Sequence, residues 1–257
     1  MITGAQLQLL YEKIKKFKYS SFGLEYNDCM NAEIIQDDEN LILLLDKNNE
    51  TSYLYWAADN PQSIVPKIKN IEGKIRIDFV PKEFISSFQD AGFFIWVEYI
   101  DFFNEVLKNT DISFNDYAAI QFLQPEDASI VETISISCAG QARGFVGETK
   151  EWFLDWMKEN NIIIIKAEDE IVGFCCVSIY ANGTILWVRE ITVNPLYQRK
   201  GFGRKLLEQA IFYGVKKGAV RGFLHSDILN KNAIDLYNKY NFYARSDSGE
   251  IQMIRSC

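Results

Sequence analysis

The chain has 257 residues, which is long for one domain and sufficient for two small ones. Its 48% hydrophobic and 14% aromatic content can build substantial cores, and its net charge of −8 argues against nucleic acid as a partner, since nucleic-acid binding depends on neutralising phosphates. No apolar run is long enough to cross a bilayer, and the N-terminus lacks the charged-then-apolar layout of a secretory signal, so we expect no membrane partner.

Cysteine usage indicates a reducing compartment. The five cysteines, at positions 29, 138, 175, 176 and 257, form no CxxC pair and no metal-ligand spacing, and the chain has a single histidine. We therefore expect a cytoplasmic protein without a metal site, either a monomer or a homodimer.

The first half alternates helix and strand patterns. Its N-terminal segment predicts an amphipathic helix that packs on its own domain, with apolar residues at helical spacing: Leu7, Leu10, Tyr11, Ile14 and Phe17. Strand patterns follow at 40–46, 51–58, 74–80 and 93–103. Between them, segment 63–71 predicts a short helix or a loop interrupted by Pro66, and a helix pattern begins at Pro81 and ends at Gly92.

The second half opens with a short strand pattern, a Pro-Glu-Asp turn and a helix, all within 118–136. A second helix pattern covers 147–160. Three strand patterns fill 161–193, with turns at 168–170 and 182–183. The chain then has a helix pattern at 204–217 that Gly218 stops, a strand pattern at 221–228, a helix pattern at 230–242 and a strand pattern at 250–256.

Four basic residues surround two glycines in QRKGFGRK, residues 198–205, which we call the basic segment. It lacks the GxxxxGK[ST] spacing of a P-loop, and Leu206 stands where a dinucleotide fingerprint needs its third glycine. Gly201 and Gly203 still allow close approach, and a helix N-terminus offers unsatisfied N–H groups to an anion. The alternative is a basic helix start without a ligand. Because cations are unfavourable at a helix N-terminus, the pattern favours an anion site.

The residues around the basic segment make the anion more specific. Val193, Pro195, Gln198, Gly201 and Gly203 stand at the spacing V-x-P-x-x-[QR]-x-x-G-x-[GA]. This stretch resembles the acetyl-CoA signature of the GNAT N-acetyltransferases.

Two further segments resemble the same family. Residues 230–242 follow N-x-x-A-x-x-x-Y-x-x-x-G-F at Asn230, Ala233, Tyr237 and Phe242. Asn241 replaces the usual glycine, and asparagine tolerates the left-handed conformation of such a turn. Residues 120–134 resemble the family's first strand and helix, so the resemblance covers about 118–257.

The resemblance implies an α/β fold with a mixed sheet, the GNAT acyl-CoA N-acyltransferase fold, for a domain at 116–257. The domain at 1–115 has no GxG segment, but a faint repeat aligns its Phe88 with Tyr237 and its Gly92 with Asn241. We therefore expect a tandem of one degenerate and one intact domain. A chance match, with an unrelated α+β domain in the first half, is the alternative.

The resemblance also implies acetyl-CoA as cosubstrate. Backbone groups of Ile191, Thr192 and Val193 would pair with the pantetheine arm, and an N–H near Val193 would polarise the thioester carbonyl. The remaining implied cofactor residues hold the pyrophosphate or lie beside it: Gln198, Arg199, Lys200, Gly201, Phe202, Gly203, Arg204, Lys205 and Asn230.

Three residues are candidates for proton transfer. Tyr237 stands where the family often keeps a general acid for the leaving thiolate, and its spacing from Asn230 favours this role over the alternative, a tyrosine that faces the core. Glu190 precedes the ITV strand end, and His225 lies five residues before Asn230. Either could serve as the base. The imidazole of His225 suits this role because it titrates near neutrality. A structural role for each, with a water chain taking the amine proton, stays open.

Trp152 and Trp156 lie four residues apart on the second helix, in the region that covers the acceptor site in this family. They could line that site or form a core stripe. Nearby Glu148, Glu151 and Asp155 could attract a cationic amine or form a solvated face.

The sequence thus predicts transfer of an acetyl group from acetyl-CoA to a primary amine of a small molecule or peptide, by direct attack in a ternary complex. Two alternatives stay open. One is a non-catalytic CoA-binding regulatory or interaction module, and the other is a transferase that uses a longer acyl-CoA.

Overall fold

The structure is a computed structural model that describes residues 2, 4–22, 29, 31–47 and 51–256. Its helices are α1 (Gly4–Ile14), α2 (Pro61–Ile68), α3 (Ile85–Asp90), α4 (Ala128–Ser137), α5 (Lys150–Trp156), α6 (Phe202–Lys216) and α7 (Lys231–Lys239). Its strands are β1 (Tyr19–Ser20), β2 (Glu33–Asp37), β3 (Leu41–Asp46), β4 (Ser52–Ala58), β5 (Ile75–Ile77), β6 (Phe94–Asn104), β7 (Gln121–Phe122), β8 (Asn161–Ala167), β9 (Glu170–Tyr180), β10 (Ile185–Val193), β11 (Arg221–Asp227) and β12 (Tyr243–Arg255).

The chain forms two compact units. Unit 1 comprises Met1–Glu98 and Glu250–Cys257, and unit 2 comprises Tyr99–Gly249. The sequence placed a domain boundary between residues 115 and 116, whereas the contacts divide the chain within β6 and again within β12. Residues 99–104 fall in unit 2 because β6 pairs there with β11, from Tyr99 opposite Asp227 to Asn104 opposite Gly222.

Unit 1 is a mixed sheet with helices on both faces. Strands β2, β3 and β4 are antiparallel neighbours, and β4 runs parallel to β5 after the crossover through α2. Alternation along β3 divides its leucines between the faces: Leu41, Leu43 and Leu45 pack with α2 and α3, while Leu44 faces α1. The predicted N-terminal amphipathic helix is thus confirmed as α1.

Two predicted elements of unit 1 are shorter in the structure. The strand pattern at 74–80 gives only β5, because the chain leaves the extended conformation at Phe79, whose φ is 57°. The helix pattern at 81–92 gives a 3-10 turn over Lys82–Phe84 followed by α3. The segment around Pro66 is helical as part of α2.

Unit 2 is built on an antiparallel meander of β7, β8, β9 and β10, followed by α6 and by β11 parallel to β10. One face of this sheet packs on α6, and the other packs on α4 and α5. The three strands predicted at 161–193 are confirmed as β8, β9 and β10. The predicted α/β class with a mixed sheet is therefore confirmed. Within the described part of the chain, no helix combines the length and apolar character needed to cross a membrane.

Candidate active site

The candidate site is a cleft that opens where two parallel strands separate. Residues 185–187 of β10 pair with residues 221–223 of β11, and the described pairing between these strands ends there. Beyond that point β10 stays paired with β9 up to Val193, and β11 stays paired with β6 up to Asp227. A cavity of about 500 Å³ lies at this separation. Its size falls within the range typical of small-molecule sites.

Predicted catalytic and cofactor residues meet in this cavity. The lining includes Glu190, His225 and Tyr237, together with Ile191, Thr192, Val193, Gln198 and Asn230. Residues 199–205 are not among the described lining residues. The structure thus brings the three proton-transfer candidates together beside the end of β10.

A β-bulge in β10 sets which side chains face the cleft. The register shifts between Val188 and Glu190. Before the shift, Val188 packs in the cluster with α6; after it, Ile191 packs on that cluster. Arg189 and Glu190, although adjacent, consequently both face the α4 and α5 side. Every second backbone N–H at this end of β10 points away from β9 toward the cleft.

Glu190 is a buried carboxyl group with defined partners. The residue is 9% exposed. The Thr192 hydroxyl donates to its Oε1 at 2.7 Å, and Ser135 Oγ lies 3.5 Å from the same oxygen. Burial raises the pKa of Glu190 to about 7, against the lowering effects of Thr192 and Arg189. A carboxyl group with such a pKa is half ionised at neutral pH and can accept a proton there.

His225 differs from the expectation that its imidazole titrates near neutrality. Its ring packs 5.1 Å from the Tyr99 ring, centroid to centroid. Burial, with a contribution from the Arg189 cation, lowers the pKa of His225 to about 4. The imidazole is therefore neutral at pH 7 and is a weaker base than the Glu190 carboxylate.

Tyr237 lines the cavity from α7. Its ring packs edge-on against Phe102, with centroids 5.7 Å apart. Burial raises the pKa of the Tyr237 hydroxyl. The phenol therefore keeps its proton at neutral pH, as a proton donor must. Asn230 caps the same helix by accepting the Ala233 N–H at 3.3 Å.

The basic segment leads into α6 through a left-handed turn. Gly201 is the residue before the helix, with φ of 87° and no side-chain cap. The first α6 backbone bond runs from Lys205 N to Gly201 O at 3.1 Å, so the preceding N–H groups have no intrahelical acceptor. A Cβ on Gly203 would meet only Val193 Cγ2 at 3.9 Å, and one on Gly201 would meet nothing within 4 Å. The glycines leave open space beside the helix N-terminus.

The side chains of the basic segment differ in what they contact. Arg204 Nε lies 4.0 Å from Glu208 Oε1, and Lys205 Nζ lies 5.8 Å from the Phe202 ring centroid. Lys200 Nζ lies 5.0 Å from the centroid of Tyr197.

Gln198 uses its side chain within the protein. Its Nε2 donates to Val193 O at 3.0 Å and to Gln141 Oε1 at 2.7 Å. Cys138 Sγ donates to the same Val193 carbonyl at 3.3 Å. The Gln198 amide therefore ties the end of β10 to the segment after α4.

Several cavity residues were missed by the sequence motifs. Arg143, in the loop between α4 and α5, donates through Nε and Nη2 to Asp227 at 2.9 and 2.5 Å. Burial acts to raise the pKa of Asp227, but the hydrogen bonds from Arg143 and the Leu229 N–H outweigh it and the pKa is lowered. Tyr99 and Phe145 add aromatic walls. No motif marks these residues, because they are brought together by strand pairing and a loop.

The two tryptophans of α5 stack with each other, with ring centroids 5.3 Å apart. The guanidinium carbon of Arg189 lies over the Trp152 ring, 4.1 Å from the ring centroid. The sequence suggested that the tryptophans form a core stripe or line the acceptor site. Neither interpretation predicted the contact between Trp152 and Arg189. Among the described residues, no group of three or more His, Cys, Asp or Glu side chains is placed to hold a metal ion.

Comparisons with known proteins agree with this architecture. Residues 131–242 match the model of the acetyltransferase (GNAT) family. This segment is therefore similar to the domain of the GNAT acetyltransferases, and members of that family are acyltransferases. A search of the curated proteins found no significant match.

Solved structures with this fold span both units. A GCN5-related N-acetyltransferase from Anabaena variabilis has a TM-score of 0.60 at 10% identity, covering 99% of this chain and 71% of its own. One from Sphaerobacter thermophilus has a TM-score of 0.59 at 13% identity, covering 84% of this chain and 76% of its own. A functionally unknown conserved protein from Staphylococcus epidermidis has a TM-score of 0.56 at 13% identity, covering 88% and 94%. At these identities the likeness concerns the fold.

Proposed function

We propose that the protein is an acetyl-CoA-dependent N-acetyltransferase that acts on a primary amine of a small molecule or a peptide. The observation that carries this proposal is the Glu190 carboxyl group, buried at the β10 bulge, with its pKa raised to about 7 on the wall of the cleft. An amine is protonated at neutral pH and must lose a proton before it can attack, so a carboxylate with this pKa suits the reaction.

The end of β10 and the start of α6 fit the cosubstrate. The open space at Gly201 and Gly203 admits a diphosphate against the α6 N–H groups, whose dipole favours an anion. Arg199, Lys200 and Lys205 would add positive charge, while Gln198 contributes by bracing Val193. Backbone groups of Ile191 and Val193 that face the cleft would hold the extended arm. Bound acetyl-CoA would supply the activated acetyl group and a thiol leaving group.

Glu190 would take the proton from the acceptor amine, directly or through water. Its Oε1 accepts the Thr192 hydroxyl, which constrains one of the two carboxylate oxygens on the cavity wall. His225 is the less suitable base, because its pKa of about 4 makes it a poor proton acceptor. It would instead help to form the wall beside Tyr99.

Tyr237 would donate a proton to the leaving sulfur. Its raised pKa keeps the hydroxyl protonated until a thiolate, which is more basic than water, develops beside it. A backbone N–H at the end of β10 would stabilise the negative charge that develops on the carbonyl oxygen.

A thiol-release assay tests the proposal. Purified protein is mixed with acetyl-CoA and single members of a panel of amines, polyamines, aminoglycosides and peptides, and free CoA thiol is measured. We expect release above the amine-free rate for at least one acceptor. Binding of acetyl-CoA without amine-dependent release would instead indicate a CoA-binding module. Faster release from a longer thioester would indicate a different acyl donor.

A further inference from the structure

Arg189 is a cavity-lining arginine whose side chain is held from several directions. Its guanidinium carbon lies 4.1 Å from the Trp152 ring centroid and 5.6 Å from that of Trp156. Trp156 is fixed in turn, since its Nε1 donates to Asn161 O at 3.3 Å. A planar guanidinium stacked on indole rings in this way keeps one orientation.

The edge of the guanidinium faces two carboxylates. Nη2 lies 2.8 Å from Glu148 Oε1, and Nη1 lies 3.5 Å from Glu190 Oε2. The other Glu190 oxygen accepts the Thr192 hydroxyl. The two oxygens of Glu190 therefore have different partners, and Arg189 is the partner of the oxygen that Thr192 leaves available.

We propose that Arg189 is a positioning residue for acyl transfer, which orients the Glu190 carboxylate and favours its ionised form. This inference rests on the proposed function, because it takes Glu190 as the base. The bulge makes the arrangement possible, since regular alternation would place two adjacent side chains on opposite faces of the sheet.

Arg189 and Glu148 are the charged side chains that act on the Glu190 carboxyl group. Arg189 acts to lower its pKa, and Glu148 acts to raise it. Cys138, Cys175, Cys176, Tyr237 and His225 are neutral at pH 7, because burial raises the pKa values of the thiols and the phenol and lowers that of the imidazole. The cavity wall also carries Tyr99 and the ion pair of Arg143 with Asp227. Arg189 favours the carboxylate as a cation, while the hydroxyls of Thr192 and Ser135 favour it as hydrogen-bond donors. Lysine could supply the charge but not the stacked, two-pronged contact.

A direct titration of Glu190 tests this role without acetyl-CoA or an amine. Protein labelled with ¹³C at glutamate carboxyl carbons is titrated by NMR, and the Glu190 signal is assigned by its loss in Glu190→Gln. We expect Arg189→Met to raise the midpoint by about one pH unit, the low end of the effect of an adjacent opposite charge. Arg189→Lys should raise it less. Glu148→Gln should lower it, since it removes a repulsive charge and a competitor for Arg189.

The control is Arg221→Met, which removes an arginine that pairs with Glu105 and is not among the cavity-lining residues. Its Glu190 midpoint should match that of the wild type. An unchanged Glu190 midpoint in folded Arg189→Met would overturn the proposal. A raised or unchanged midpoint in Glu148→Gln would overturn it as well. If Arg189→Met does not fold, the Glu148→Gln variant provides the test. If the protein releases no thiol, the proposed function is refuted. The titration would still show whether Arg189 controls the ionisation of Glu190.

Discussion

The two units share an order of elements but differ at one connection. In unit 1 the antiparallel strands β2, β3 and β4 lead through α2 to β5, which is parallel to β4; in unit 2 the strands β8, β9 and β10 lead through α6 to β11, which is parallel to β10. In both crossovers the described parallel pairing covers three residue pairs. A helix then follows in each, α3 and α7.

The connection into the crossover helix is where the units diverge. Strand β4 ends at Ala58 and α2 begins at Pro61, and the side chain of Asn60 caps the helix by accepting the Ser63 N–H. Strand β10 ends at Val193 and α6 begins only at Phe202, after a turn without a side-chain cap. The start of α2 has a side-chain acceptor for one of its N–H groups, whereas the start of α6 has none. The same order of elements therefore forms a scaffold in unit 1 and a candidate anion site in unit 2.

The ends of α3 and α7 share a backbone conformation but differ in one side chain, which is Phe88 in α3 and Tyr237 in α7. Phe93 N bonds to Phe88 O at 3.0 Å, and Phe242 N bonds to Tyr237 O at 3.1 Å. The turn residues Gly92 and Asn241 both have positive φ, at 86° and 61°. Phe88 is fully buried, whereas Tyr237 reaches the cavity. This match supports the proposal that unit 1 is a degenerate copy in which the hydroxyl is missing.

The largest expected effect is that of Glu190→Gln. Strand β4 has no carboxylate, while β10 carries the proposed base, so removing this carboxylate leaves β10 without a base, as β4 is. We expect amine-dependent thiol release to fall by about 10³-fold. Glu170→Gln, an exposed residue at the start of β9, is the control and should keep wild-type activity. Activity within a few-fold of wild type in Glu190→Gln would remove Glu190 from the mechanism.

Exchanging the residues at the two helix ends tests the difference between Phe88 and Tyr237. Tyr237→Phe should lower thiol release by about 10²-fold, since it removes the proposed acid, and should keep acetyl-CoA binding. Phe88→Tyr should leave the rate per folded molecule unchanged but lower the free energy of unfolding by about 1–3 kcal/mol, because it buries a hydroxyl. Full turnover in Tyr237→Phe would show that the two positions have the same structural role.

Stability against pH should reveal the buried carboxyl of unit 2. Because the Glu190 pKa is raised, the folded protein binds the Glu190 proton more tightly than the unfolded chain does. Its contribution to the free energy of unfolding is therefore fully present below pH 4.5 and is lost as pH rises to about 7. Its loss amounts to at most roughly 3 kcal/mol. His225 acts in the opposite sense, adding stability as pH rises from about 4 to 6.5. Chemical denaturation should therefore give Glu190→Gln a more positive stability slope than wild type between pH 4.5 and 7. Equal slopes would contradict the assigned pKa of Glu190.

The smallest expected effects concern the two turns. Gly92→Ala should lower the free energy of unfolding by about 1–2 kcal/mol, since alanine disfavours positive φ. Its Cβ would meet only the Arg255 side chain, at an ordinary 3.5 Å, so the cost is conformational. Asn241→Gly should change stability by less than about 1 kcal/mol, because asparagine already tolerates this conformation. Urea denaturation of both variants measures the difference; a larger cost for Asn241→Gly would mean that the turns are not equivalent.

The motif-bearing part of the fold could be predicted from the sequence, while the details of the site could not. The spacing of Val193, Gly201 and Gly203 indicated the helix start, and the strand pattern at 221–228 predicted β11, which carries His225 to the cavity. The bulge that turns Arg189 toward Glu190 leaves no mark in a pattern of alternating residues. Burial, which separates the pKa values of Glu190 and His225, likewise depends on tertiary packing.

Side-chain partners across the chain were equally hidden from the sequence. Gln198 fits the motif, yet its side-chain amide donates to Val193 O and to Gln141 Oε1. The bond to Gln141 joins residues 57 positions apart. The Arg143–Asp227 pair joins residues 84 positions apart. Such contacts follow from the sheet and loops that bring the segments together.

The most direct test of the central claim is a thermal-shift measurement with acetyl-CoA on three proteins: wild type, Gly203→Glu and Lys217→Met. Both substitutions change the net charge by −1, one at the start of α6 and the other just after its end. The open space at Gly203 should let Gly203→Glu fold while its side chain blocks the anion site. We predict stabilisation of wild type and Lys217→Met by acetyl-CoA and none of Gly203→Glu. No shift in wild type, or the same shift in all three, would contradict the assignment of the basic segment as the site that holds CoA.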